Sequence, residues 1–136
     1  MNNVDLEKEV KRLVYSNRYE KGYVCAVDVL LQLGYLTKDD YEDWRFGRID
    51  YLEKVCKVNL RKLTFINKLI RKYSAELALK SSWTAYNQFG KGTKRRLRFS
   101  KSGEKTIEDK YATHYIDTKR IIELKEKKGS IRTDSK

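Results

Sequence analysis

Between Tyr51 and Leu79 the apolar and basic residues keep to separate sides of a helical wheel. Leu52, Val55, Cys56, Leu63, Ile66, Leu69, Ile70, Tyr73 and Leu77 share about 140° of arc, and Lys54, Lys57, Arg61, Lys68 and Lys72 about 60° on the far side. A break anywhere in the segment would scramble that phase, so it predicts one long amphipathic helix. The basic stripe from Lys54 to Lys72 would run about 27 Å at 1.5 Å per residue. Asn59 dissents, because it falls on the apolar side; in "KVNL" it could instead cap the start of a new helix. The 136 residues include no proline, so nothing forces a helix to stop.

The segments before it are also helical. "NVDLEKEVKRLVYS" sets Leu6, Val10, Leu13 and Val14 at helical spacing. "VCAVDVLLQLG" is apolar almost all round, as a buried helix is, and Gly34 offers a left-handed stop. In "TKDDYEDWRFG", Thr37 is placed to cap a third helix, Asp40 fits a capping box and Gly47 ends it. Asp50 and Glu53 repeat the start signal. Short helices joined by tight turns resemble a helix-turn-helix scaffold.

After Leu79 the pattern changes. "SSWTAYNQ" reads as a strand, "FGKG" as a turn, and "RRLRFS" as a second strand with Leu97 and Phe99 inward and Arg96 and Arg98 outward. "YATHYI" reads as a third strand that a helical turn could precede, and "DTKRIIELKEKK" as a helix capped by Asp117. The expected fold is α+β and mostly α: several short helices and one long one, with a small basic β-hairpin or three-stranded sheet near the C-terminus. Residues 1–128 would form a single domain and 129–136 a frayed tail.

Three of these segments, "DYEDWRFGRIDYLEKV", "RLRFSKSG" and "YATHYI", resemble a group of small uncharacterised bacterial proteins, over roughly Gly22 to Ile116. The resemblance implies no activity, site or mechanism, so function has to come from the residues.

Charge is the strongest functional signal. The net charge of +12 is uneven: residues 1–50 hold 8 bases and 10 acids, 51–80 hold 8 and 2, 81–105 hold 7 and 1, and 106–136 hold 8 and 6. A field concentrated in mid-chain attracts polyanions. In 90–105, Lys91, Lys94, Arg95, Arg96, Arg98, Lys101 and Lys105 face a single acid, Glu104. A solvated edge strand needs only one or two such charges for protection. A basic hairpin beside helices suits a phosphate backbone, in the manner of the wing of a winged-helix protein. The helical stripe adds Lys54, Lys57, Arg61, Lys68 and Lys72, with only Glu53 and Glu76 near its ends to offset them. Of the aromatics, Tyr86, Phe89 and Phe99 lie near the hairpin, where they could stack on unpaired bases.

Other chemistries fit less well. "GKGT" fails as a nucleotide loop, since Ala85 stands where the first glycine belongs and Gly92 where a Ser or Thr would hold magnesium. Cys25 and Cys56 have no cysteine–histidine cluster to join, which leaves two reduced core thiols and no structural zinc. Asp39, Asp40, Glu42 and Asp43 suit a helix N-terminus better than a divalent metal. His114, with Ser100, Lys101 and Glu108 nearby in sequence, would allow acid–base cleavage of RNA, although a lone histidine in an aromatic strand is usually structural.

The expected function is non-catalytic nucleic-acid binding, DNA or RNA, with no cofactor. One alternative is an interaction or inhibitor protein docking on an acidic partner; another is a small basic ribonuclease. The start, "MNNVDLEKEV", has no signal-peptide core and no apolar run reaches membrane-span length, so a soluble cytoplasmic protein with no membrane partner is expected.

Overall fold

A computed structural model describes residues 1–134 apart from Thr93, with side chains through Lys128. The order is α1 (Asn3–Lys21), β1 (Tyr23–Val24), α2 (Ala26–Leu33), α3 (Lys38–Arg45), a 3₁₀ turn (Leu52–Val55), α4 (Leu60–Glu76), β2 (Lys80–Trp83), α5 (Lys105–Ala112), β3 (Thr113–Ile116) and α6 (Thr118–Asp134). The architecture is α+β and mostly α, with one three-stranded antiparallel sheet. Among the described residues, no helix is long and apolar enough to cross a membrane. The expected tail, 129–136, falls outside the residues whose side chains are described.

The chain ends its helices much as the caps dictate. Asn2 and Thr37 accept the backbone N–H groups of Asp5 and Asp40, which opens α1 and α3. Gly34 stops α2 with φ +81°. Gly22 stops α1 at φ +83°, where a Cβ would lie 2.5 Å from Ile121 Cγ1, so only glycine admits both the turn and the close approach of α6. Asp117 then accepts the N–H of Arg120 to start α6.

The helix expected from Tyr51 to Leu79 is two elements. Asn59 caps α4 by accepting the Lys62 N–H at 2.9 Å, and Leu52–Val55 form a separate 3₁₀ turn. Lys57 N, which a continuous helix would direct to Glu53 O, donates instead to Tyr35 O, and that bond decides against propagation. Leu52 N donates to Arg98 O and Glu53 N to Phe99 O, which fixes the start of the 3₁₀ turn against the basic segment. The shared apolar phase arises because both pieces face the same core: Leu52, Leu63, Ile66, Leu69 and Ile70 are all buried, against Leu6, Val10, Leu13 and Val14 of α1 among others.

The sheet has the order β1–β3–β2. β3 is central, pairing Tyr23 with Ile116 on one edge and Trp83 with Thr113 on the other. It therefore joins a strand near the N-terminus to one from the C-terminal half. The helix-then-strand reading of "TIEDKYATHYI" holds as α5 followed by β3. "RRLRFS", however, is not a regular strand; its one bridge joins Arg96 to Asn87.

Candidate nucleic-acid interface

The basic segment rests on an aromatic cluster. Trp44 lies 5.2 Å from Phe99 and 5.6 Å from Tyr86 between ring centroids, and Phe99 stacks on Tyr111 at 5.4 Å. Such pairs contribute about 0.5–1.5 kcal/mol each beyond their burial. Leu97 and Phe99 point into this cluster while Arg96 and Arg98 stay exposed, as the alternation predicts.

Beyond the Arg96–Asn87 bridge, the backbone of 98–103 is held by groups outside any ladder, which is why no second strand extends along it. Arg98 O accepts from the Trp44 indole at 2.8 Å and from Leu52 N. Glu108 takes the N–H groups of Phe99 and Ser100 and the Ser100 hydroxyl, at 3.0, 2.7 and 2.6 Å. Glu53 takes Lys101 N at 3.0 Å and the Tyr111 hydroxyl at 2.7 Å. Two carboxylates thus fix a segment rich in cations by holding its amides. Three stretches distant in sequence meet here, since Trp44 and Glu53 lie within 40–55, Arg98 and Lys101 within 96–103 and Tyr111 in α5.

The twelve cations expected to bind phosphate divide into groups. Arg95, Arg96 and Arg98 line one recess of about 320 Å³ together with Asp50. Lys54 adjoins it, 3.8 Å from Asp50. Lys101 follows on the same anchored segment. Lys91 is exposed, and the Lys94 ammonium folds back to donate to Gly90 O. Lys105 opens α5 and pairs with Asp109 at 2.7 Å. Arg61, Lys68 and Lys72 lie on α4, which packs on α1, and Lys57 turns to α3.

The stripe is also less uncompensated than its own sequence suggests, because acids arrive from other elements. Lys57 pairs with Asp40 at 3.4 Å and Lys72 with Glu7 at 3.1 Å. Glu7 also accepts the Tyr73 hydroxyl at 2.5 Å; that bond, then Lys72, holds its carboxyl below the usual range. Among the described residues, Arg61 and Lys68 have no carboxylate at ion-pair distance. Exposed pairs of this kind are screened by solvent and contribute little, so they leave the cations available.

The helix-turn-helix expectation fits the charges poorly. Of the closely spaced pair α2 and α3, α3 carries Asp39, Asp40, Glu42 and Asp43, which a phosphate backbone repels. Two of these acids pair within the protein, Asp40 with Lys57 and Asp43 with Arg48 at 3.0 Å.

Two aromatics named from sequence are not platforms. Tyr86 and Phe99 are core residues, 8% and 3% exposed. Phe89 is 41% exposed, but the Arg45 guanidinium covers it at 3.8 Å. The exposed aromatic beside the basic segment is Trp83, 51% exposed at the end of β2, with Arg96 over its ring. Its position in an expected strand gave no sign of which face would be open. Arg71 and Lys110 were also missed; they line a cleft next to Trp83.

The groups suited to acid–base chemistry are dispersed. His114 bonds the Tyr86 hydroxyl at 3.0 Å and stacks on Tyr23. Burial lowers its pKa. Ser100 is buried and relays the Glu108 contact to Gly103 N. Burial pushes the thiols of Cys25 and Cys56 up to about 12, and both are free.

The fold and this surface define a small, basic, mostly helical α+β protein. No family model, curated protein or solved structure matches the chain.

Proposed function

We propose that this protein binds nucleic acid without cleaving it, using the 91–105 segment as its main phosphate grip and the cations Lys54, Lys57, Arg61, Lys68 and Lys72 as a wider field. The observation that carries this reading is the recess lined by Arg95, Arg96 and Arg98 with a single acid, Asp50. Three arginines to one carboxylate leave an excess of positive charge there, which a phosphate offsets while accepting paired N–H donors. The recess stands on a backbone anchored by Glu53 and Glu108, so its cations are held out from a firm base. Two unbridged cysteines fit work in a reducing cytoplasm.

The test is binding of purified protein to labelled duplex DNA, single-stranded DNA and structured RNA, from low to physiological salt. Each neutralised phosphate releases counterions, so affinity should fall steeply with salt. Arg95→Glu with Arg96→Glu should weaken binding to every sequence and flatten that dependence. Absence of binding at low salt overturns the reading and turns the search to an acidic protein partner. Cleavage of RNA that His114→Ala abolishes would replace binding with catalysis.

A further inference from the structure

The Trp83 indole sits in a concave cleft of about 690 Å³, bordered by Tyr86, Arg96, Lys105, Asp109 and Thr113. That volume lies within the roughly 300–1,000 Å³ common to small-ligand sites. A singly exposed aromatic on a convex surface needs no explanation, but this one is held in place. Its Nε1–H donates to Asp109 Oδ1 at 3.0 Å, and Asp109 is in turn bound by Lys105. Trp44 contrasts with it, being fully buried.

The guanidinium of Arg96 lies 5.2 Å from the Trp83 ring centroid. Arg96 stands farther from this ring than the 3.8 Å at which Arg45 covers Phe89, and a planar cation there occupies the place that a planar group would take once Arg96 moves away. The surroundings supply charge for what would be attached to such a group. Arg96 also borders the arginine recess, and Arg71 and Lys110 line a neighbouring cleft of about 440 Å³ that shares Ser81, Asp109 and Thr113 with the first. Cations therefore flank the indole on both sides. Of the two acids at the cleft, Glu108 is engaged with the amides of Phe99 and Ser100, and Asp109 with Lys105 and Trp83.

We infer that this cleft takes an unpaired nucleobase of a single strand, stacked on Trp83, with the flanking phosphates held by Arg96, Lys105, Arg71 and Lys110. On binding, Arg96 leaves the ring for a phosphate and the base takes its place. A duplex keeps its bases stacked within the helix and cannot deliver one to a recessed indole, so the strand must be unpaired there. The inference rests on the nucleic-acid reading above and narrows it to single strands.

The test uses the full chain with fluorescein-labelled thymidine and uridine oligomers of about 15 nucleotides, long enough for one stacking site and its flanks, a duplex of equal length, and thymidine monophosphate. Single strands should bind in preference to the duplex and quench tryptophan emission. Trp83→Ala should weaken single-strand binding about tenfold, the scale of one stacked base. Trp83→Phe, which keeps an aromatic face, should retain most of the affinity; it also guards against a folding defect, checked by thermal melts of both variants. Salt-dependent binding that is equal for duplex and single strand and unchanged in Trp83→Ala would overturn this inference while leaving the phosphate grip standing. Equal affinity for the mononucleotide would overturn the strand assignment. No binding to any polymer would overturn both readings.

Discussion

At the residue scale, His114 shows how burial sets the chemistry available. Its ring stacks on Tyr23 with centroids 5.7 Å apart. The Tyr86 hydroxyl donates to Cys25 Sγ at 3.7 Å and shares a hydrogen bond of 3.0 Å with His114 Nε2. Protonation would add a charge to a half-buried ring, and burial lowers the pKa below its ordinary 6.5, against a smaller pull from Asp28. The unfolded chain therefore takes up the proton first as pH falls. Stability should be full above about pH 6.5, decline as pH drops through that value, and level off below the folded-state pKa. Melting temperatures between pH 8 and 5 should show this slope, and His114→Phe should remove it. A wild-type profile flat from pH 7 to 5 would contradict the assignment. Glu7, whose carboxyl is held below the usual range, contributes in a separate window, below its ordinary 4.5.

At the element scale, the basic segment depends on carboxylates more than on strand pairing. Glu108 accepts from two amides and one hydroxyl, and hydrogen bonds to a charged group contribute about 1.5–3 kcal/mol. Glu108→Ala should lower stability by about 2 kcal/mol in denaturant unfolding, with faster amide exchange at Phe99 and Ser100. Unchanged exchange there would mean that the anchor is not needed. The same arrangement explains what sequence made legible. Side-chain alternation placed Leu97 and Phe99 inward correctly, because that alternation is local. It could not show that Trp44, Leu52, Glu53 and Glu108 would take the backbone partners of a strand, because those residues lie up to 54 positions away. The broken helix has a similar cause. Asn59 was readable as a cap, but the phase of Leu52 and Val55 pointed the other way, and the long-range bond from the Lys57 amide to Tyr35 O decided it. At the far end of α4, Ala78 adopts φ +54°, a conformation usually marked by glycine, so composition gave no sign of where that helix stops.

At the scale of the whole molecule, net charge and its placement make separable claims. The chain carries +12, and any polyanion feels that field regardless of where the cations stand. From sequence, the Lys54–Lys72 stripe and the 91–105 segment would form one positive surface if the fold set them on the same side. In the fold, α4 packs on α1 and its Lys72 pairs with Glu7, whereas the arginine recess adjoins the 3₁₀ turn through Asp50 and Lys54. Two double variants distinguish a general field from a contact surface, because each removes two positive charges. Arg61→Gln with Lys68→Gln takes them from α4, and Arg95→Gln with Arg98→Gln takes them from the recess. If the field alone attracts nucleic acid, both variants should weaken binding alike at low salt. If the recess touches phosphates, its variant should reduce the steepness of the salt dependence by nearly one per lost contact, close to two in all. The α4 variant should then shift affinity with little change of slope. Salt titrations of wild type and both variants against one nucleic acid measure this directly, and a larger change in slope from the α4 pair would move the phosphate grip to the helix.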